Sequence, residues 1–116
     1  MGEKTLTMTM LLDFYGELLT PRQRNCFSMH YNDDLSLAEI AEIMEISRQG
    51  VRDLIVRAEG TLTQTEEKIG LVKRFSEQKR VMDKMEEQLR ELVQAAEGKT
   101  RALAEKLLDE LESIRD

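Results

Sequence analysis

The stretch that constrains this chain most is SLAEIAEIMEISRQGVRDLIVRA, residues 36–58. Ser36 is placed to cap a helix, its hydroxyl accepting from the Glu39 N–H. Glu39, three residues on, completes a capping box. Leu37, Ile40, Ala41 and Met44 then share one face. Ser47 offers a second N-cap. Behind it Val51, Leu54, Ile55, Ala58 and Leu62 recur at spacings of three and four. Only Met44, Glu45 and Ile46 separate the two helices. Two short amphipathic helices that close together cannot lie parallel and both reach one core, so they cross, which is the helix-turn-helix plan.

With Val51, Leu54 and Ile55 pointing inward, Arg48, Gln49 and Arg52 point outward, along with Asp53 and Val56. The N-terminal turn of a recognition helix is the part that reaches base edges. An arginine there pairs with guanine and a glutamine with adenine, while the Ser47 hydroxyl suits a phosphate. The competing reading is a set of solvated polar residues on a purely structural core. Charge bears on the choice. Between Thr20 and Ala58 there are five bases (Arg22, Arg24, Arg48, Arg52, Arg57) against six acids. Duplex binders are basic in their reading unit, because phosphate neutralisation supplies most non-specific affinity. Weak duplex binding by a single copy is therefore expected.

Upstream, Leu6, Met10, Leu11, Phe14, Leu18 and Leu19 predict a first helix over residues 3–19, weakened by Gly16 near its end. Thr20-Pro21 is a restart, with Thr20 as N-cap and Pro21 at the first helical position. A second helix over residues 21–31 follows, with Cys26, Phe27, Met29 or His30, and Tyr31 as inward candidates. Asn32-Asp33-Asp34 breaks it.

Catalytic chemistry finds no footing. Cys26 and His30 are the only cysteine and histidine, too few for a zinc site. Cys26 reads as a small core residue. No phosphate loop, carboxylate pair or Ser/His/Asp set can be assembled, so no catalytic residue, metal ligand or cofactor is expected. One cysteine makes no internal disulfide, no apolar run approaches the length of a membrane span, and the start MGEKTL lacks a signal-peptide pattern. Gly2 does not satisfy the myristoylation motif, because Leu6 stands where Ser or Thr is needed. A cytoplasmic location is the expectation.

The pattern changes after Gly70. Leu71, Phe75, Gln78, Met82, Met85, Leu89, Leu92 and Ala96 alternate steps of four and three, a heptad seam. A domain of residues 1–70 cannot cover so long a helix. The extension, residues 71–116, must find a partner or fold back. Gly98 breaks the seam, and Leu103, Ala104, Leu107, Leu108, Leu111 and Ile114 give a last amphipathic helix. Two arrangements stay open, an intramolecular hairpin and an intermolecular coiled coil. Either favours a homodimer, with Leu71, Phe75, Met82, Met85, Leu89 and Leu92 as its seam.

The order LLTPRQRNCFSMHYNDDLSLAEIAEIMEISRQGVRD resembles the tri-helical DNA-binding region 4 of sigma factors. With EKTL, LLDFYGELLTPRQR, NDDLSLAEIAE, the SRQ of residues 47–49 and EEKIGLVKRF, the match is closer to the YlxM family of small helix-turn-helix proteins, over residues 3 to about 75. The resemblance implies an all-α, wingless tri-helical domain with a long C-terminal helical extension. It also implies a regulatory role linked genetically to the signal recognition particle, its small RNA, its GTPase and its receptor. Three positions depart from the family pattern: Gly50, Arg52 and Leu54 stand where Ala, Tyr and Asn are usual.

Two functions follow as expectations. One is an accessory factor of the particle, touching its RNA or its GTPase. The other is a dimeric, sequence-specific DNA-binding transcriptional regulator. In both, Ser47, Arg48, Gln49 and Arg52, with Arg22 and Arg24 of LTPRQR, are the candidate nucleic-acid contacts.

Overall fold

The computed structural model describes residues 2–115, and the described residues are helical with no strand. In order they form α1 (Glu3–Tyr15), a 3-10 turn (Gly16–Leu18), α2 (Pro21–Tyr31), α3 (Leu37–Met44), α4 (Arg48–Ile69), α5 (Leu71–Ala95) and α6 (Gly98–Arg115). They sort into two compact units, Met1–Val72 and Lys73–Asp116.

In the first unit the starts of α2, α3 and α4 are specified locally. Thr20 accepts from the Gln23 N–H, Gln23 returns the bond, and Pro21 stands at the first helical position. Ser36 and Glu39 make the same reciprocal pair at α3, both bonds 3.1 Å. Bonding from the Ser36 backbone N–H holds the Glu39 carboxyl below the usual range. At α4 the Ser47 hydroxyl accepts from the Gly50 N–H at 3.0 Å. The helix then runs on through Gly60 and its threonines, one of which, Thr65, donates its hydroxyl to the Thr61 carbonyl at 2.7 Å. It stops at Gly70, which adopts the left-handed backbone (φ +68) open to glycine.

The turn of the helix-turn-helix is made without glycine. Glu45 sits left-handed at φ 56, ψ 44, its N–H donating to the Ala41 carbonyl. The Ile46 N–H reaches the same carbonyl at 3.1 Å. A side chain at such a position costs about 1–2 kcal/mol, and glycine escapes part of that cost. Glu45→Gly is expected to raise stability by about 1 kcal/mol, read as a higher urea midpoint with unchanged slope. A lower midpoint would show that this turn is not strained.

The core of the unit lies where α1, α2 and α3 meet α4. Phe27, Ile40, Val51, Leu62 and Cys26 are fully buried at its centre. The Cys26 Sγ–H points at the Val51 carbonyl, and burial pushes its thiol pKa up. This is the inert core role read from the sequence. The α1 face differs from expectation. Leu11 and Leu19 are buried as expected, but Leu12 and Tyr15 join them, while Leu6, Phe14 and Leu18 are exposed. The α-helix ends at Tyr15 and tightens into the 3-10 turn, so a stripe projected through Leu18 at α-helical spacing leaves the core.

Two tyrosines tie the helices together through carboxylates. The Tyr31 hydroxyl donates to Glu59 Oε1 of α4. The Tyr15 hydroxyl donates to Glu66 Oε1 at 2.7 Å and accepts from the Leu71 N–H at 3.1 Å. Glu66 Oε1 also accepts from the Val72 N–H at 3.0 Å. These bonds satisfy the first backbone donors of α5, which would otherwise lack partners. Burial first, and the carboxylate bond second, raise the pKa of both phenols above their ordinary 10.0.

The second unit is a helical hairpin. Gly98, left-handed at φ +62, starts α6 after the turn. Arg90 joins Glu112 at 2.9 Å, and Arg115 pairs with both Asp83 and Glu86. Of the two arrangements open in the sequence, α6 therefore turns back on α5. Burial here is slight: no residue of α5 is buried, and α6 buries only Ala104 and Leu111.

Candidate nucleic-acid interface

The second helix of the motif is α4, whose inward face is Val51, Ile55, Ala58 and Leu62. That packing decides what its first two turns present outward. Ser47, Arg48, Gln49, Arg52, Asp53 and Val56 are all exposed, and so are Arg22 and Arg24 on α2. The N-terminal turn thus holds a hydroxyl, a guanidinium and a carboxamide side by side. The Ser47 oxygen already accepts from Gly50, which leaves its O–H free to donate to an outside acceptor.

Gln49 is not wholly available. Its amide nitrogen donates to Asp53 Oδ1 at 2.9 Å, one turn along the same face. The centre of the exposed face therefore carries a carboxylate held in place, flanked by Arg48 and Arg52. Asp accepts from a cytosine amino group and repels phosphate, so this face favours a base edge or a donor-rich protein surface over a bare backbone.

Arg57 was not among the sequence candidates. It lines a shallow recess of about 290 Å³ with Arg22, Ile46, Gly50, Asp53 and Leu54. Two guanidinium-bearing side chains, 35 positions apart in sequence, thus border one apolar floor. The helical spacing of Arg57 from Gly50 and Asp53 was a legible signal, while the approach of α2 was not. At Gly50 a Cβ would meet the Ser47 Oγ at 3.3 Å and Ile46 Cδ1 at 3.5 Å. An alanine there would press on the capping hydroxyl.

The surrounding charge is acidic. Residues 1–72 hold seven lysines and arginines against twelve aspartates and glutamates. Among the described residues no group of histidine, cysteine and carboxylates is disposed to hold a metal, and no helix is long and apolar enough to cross a membrane.

Residues 2–102 match the family model described as "Putative helix-turn-helix protein, YlxM / p13 like" (UPF0122). The chain belongs to this family. Its similarity to members extends over most of its length. It is 52% identical over 87 residues to the UPF0122 protein of Caldanaerobacter subterraneus subsp. tengcongensis, covering 75% of this chain and 74% of that protein. It is 45% identical over 112 residues to the protein of Bacillus pumilus, covering 97% and 96%. To that of Listeria innocua it is 40% identical over 116 residues, covering 100% and 98%. The family assignment agrees with the resemblance read from TPRQR, LSLAEIAE and SRQ, and with the packing of α3 against α4 after the tight turn at Glu45.

Of the expected homodimer seam, Leu71, Phe75, Met85 and Leu92 are exposed on α5, and Met82 and Leu89 are half-buried.

Proposed function

We propose that this chain is a cytoplasmic, non-enzymatic regulatory protein that binds nucleic acid through the N-terminal turn of α4 and works in the signal recognition particle pathway. The observation that carries the binding reading is the exposure of Ser47, Arg48, Gln49 and Arg52 on a helix whose opposite face is the core. Arg22 and Arg24 add positive charge from α2. The pathway reading rests on the resemblance to the YlxM family.

The excess of acids in residues 1–72 supports a partner that supplies its own positive surface, such as a ribonucleoprotein, over a bare duplex. A helix of this kind cannot read the narrow major groove of A-form RNA, so its contacts there fall on phosphates, loops or bound protein. The particle's small RNA, its GTPase and its receptor are the partners this reading names. The second reading, a homodimeric transcriptional regulator, is favoured by Arg48 and Gln49 at positions suited to base edges.

Crosslinking in the organism's own cells, with DNA, RNA and protein recovered from one purification, separates them. The first reading expects the particle's RNA or GTPase and no discrete DNA sites. The second expects short paired DNA sites. Arg48→Ala should weaken recovery about tenfold, or about 1.4 kcal/mol, where a base or phosphate contact exists. Undiminished recovery on Arg48→Ala and on Arg52→Ala would remove α4 from the interface.

A further inference from the structure

The first unit holds more acids than bases, yet two of its arginines border one recess without a partner. Among the described residues the side chains of Arg22 and Arg57 enter no hydrogen bond and no ion pair. Acids of the same unit are committed elsewhere. Glu39 caps α3, and Glu59 takes both the Tyr31 hydroxyl and Lys4. The recess that Arg22 and Arg57 share has an apolar floor of Ile46, Gly50 and Leu54, and it carries one carboxylate, Asp53. Gln49 holds that carboxylate through Oδ1 at 2.9 Å. A carboxylate has about four lone-pair sites, so Asp53 still accepts from a further pair of donors.

Each of these features narrows the occupant. A bare phosphate would meet Asp53 and leave the apolar floor without a partner. An acidic peptide would satisfy the arginines but offers Asp53 no fixed pair of donors. At about 290 Å³ the recess stands at the bottom of the range of about 300–1,000 Å³ for small-ligand sites, which suits one flat group and not a helix. One unpaired nucleotide within a strand meets all of these demands. Its base has an apolar face and an edge of N–H donors, and a phosphate stands on either side of it. Guanine is the base whose pairing edge sets two N–H donors next to one another, the arrangement that an acceptor-only carboxylate takes up.

We infer that this recess seats one unpaired guanine nucleotide, its base on Ile46, Gly50 and Leu54, its N–H edge on Asp53, and its flanking phosphates on Arg22 and Arg57. The inference rests on the nucleic-acid reading of α4 and deepens it, because the strand met there is then single, as in a loop.

Fluorescence anisotropy of the full chain with short labelled oligouridines tests it. One strand carries a single central guanosine and one carries none. Both are also made as DNA with thymine, and a duplex of mixed sequence is run beside them. The guanosine strand is expected to bind about tenfold tighter than its all-uridine counterpart. Asp53→Asn keeps the size of the side chain and is expected to abolish that preference. Arg22→Ala and Arg57→Ala should each weaken both strands about threefold to tenfold and lower the logarithmic salt slope by about 0.7. All three side chains are exposed, so helical circular dichroism is expected to stay unchanged. A preference equal in RNA and DNA assigns the recognition to the base, and one confined to RNA adds the sugar. Equal binding of the guanosine and uridine strands, or a preference that survives Asp53→Asn, would overturn the seat. If those strands still lose affinity on Arg48→Ala, nucleic-acid binding by α4 stands without it. A chain that binds no strand and no duplex would overturn both, and leave the two arginines to a protein partner.

Discussion

Phe27→Ala is expected to cost about 3–5 kcal/mol, enough to unfold most of the first unit. Phe27 is fully buried where α2 meets α4, and its ring lies 4.7 Å from that of Tyr31 at an interplanar angle of 42°. Truncation removes the transfer energy of the ring and opens a cavity. Ile40, Val51 and Leu62 are anchored on two other helices and cannot close it. The chain has no tryptophan and its two tyrosines, Tyr15 and Tyr31, both lie in this unit, so tyrosine fluorescence in a urea titration reports this unit alone. A loss below about 1 kcal/mol at unchanged slope would mean that Phe27 is not enclosed as described.

The second large effect is on alkaline stability. Burial, then bonding to Glu59, raises the Tyr31 phenol well above its ordinary 10.0, and burial with Glu66 raises Tyr15 in the same direction. In the unfolded chain both phenols release their protons near pH 10, while the folded chain still holds them. Above that pH the unfolded state binds fewer protons, so stability falls as pH rises. Their contribution is complete below pH 10 and is lost progressively toward the raised folded values. Urea midpoints measured from pH 8 to 11.5 are expected to hold level and then drop beyond 10. Tyr31→Phe should flatten that drop while costing about 1–2 kcal/mol at neutral pH through the lost bond to Glu59. A drop of the same steepness in Tyr31→Phe would show that Tyr31 does not govern it.

Much of the first unit was legible because its signals are short-range. The caps at Thr20, Ser36 and Ser47 involve residues three positions apart, and Pro21 and Gly70 mark a start and a stop through their own backbones. The inward face of α4 follows from one unbroken period through Val51, Ile55, Ala58 and Leu62. On α1 the signal was ambiguous. Leu11-Leu12 and Phe14-Tyr15 each put two large side chains next to one another, and either member continues a helical stripe. Packing against α2 and α4 buried both leucines, and of the two aromatic residues only Tyr15. The site divides similarly. The exposure of Arg48, Gln49 and Arg52 followed from helical period, whereas Arg57 joins Arg22 only because α2 crosses beside α4.

By itself the sequence determined the helices and the starts of α2, α3 and α4, though not the end of α1 at Tyr15, since those starts depend on hydrogen bonds and periodicities spanning a few residues. Its match to known helix-turn-helix relatives decided the family. Only tertiary structure decided the pairs made across distance. Tyr31 reaches Glu59 over 28 positions and Tyr15 reaches Glu66 over 51. Arg115 reaches back to Asp83 over 32, making the tail a hairpin. Such pairs carry no period and no local motif, because what brings them together is the burial of apolar faces on separate helices.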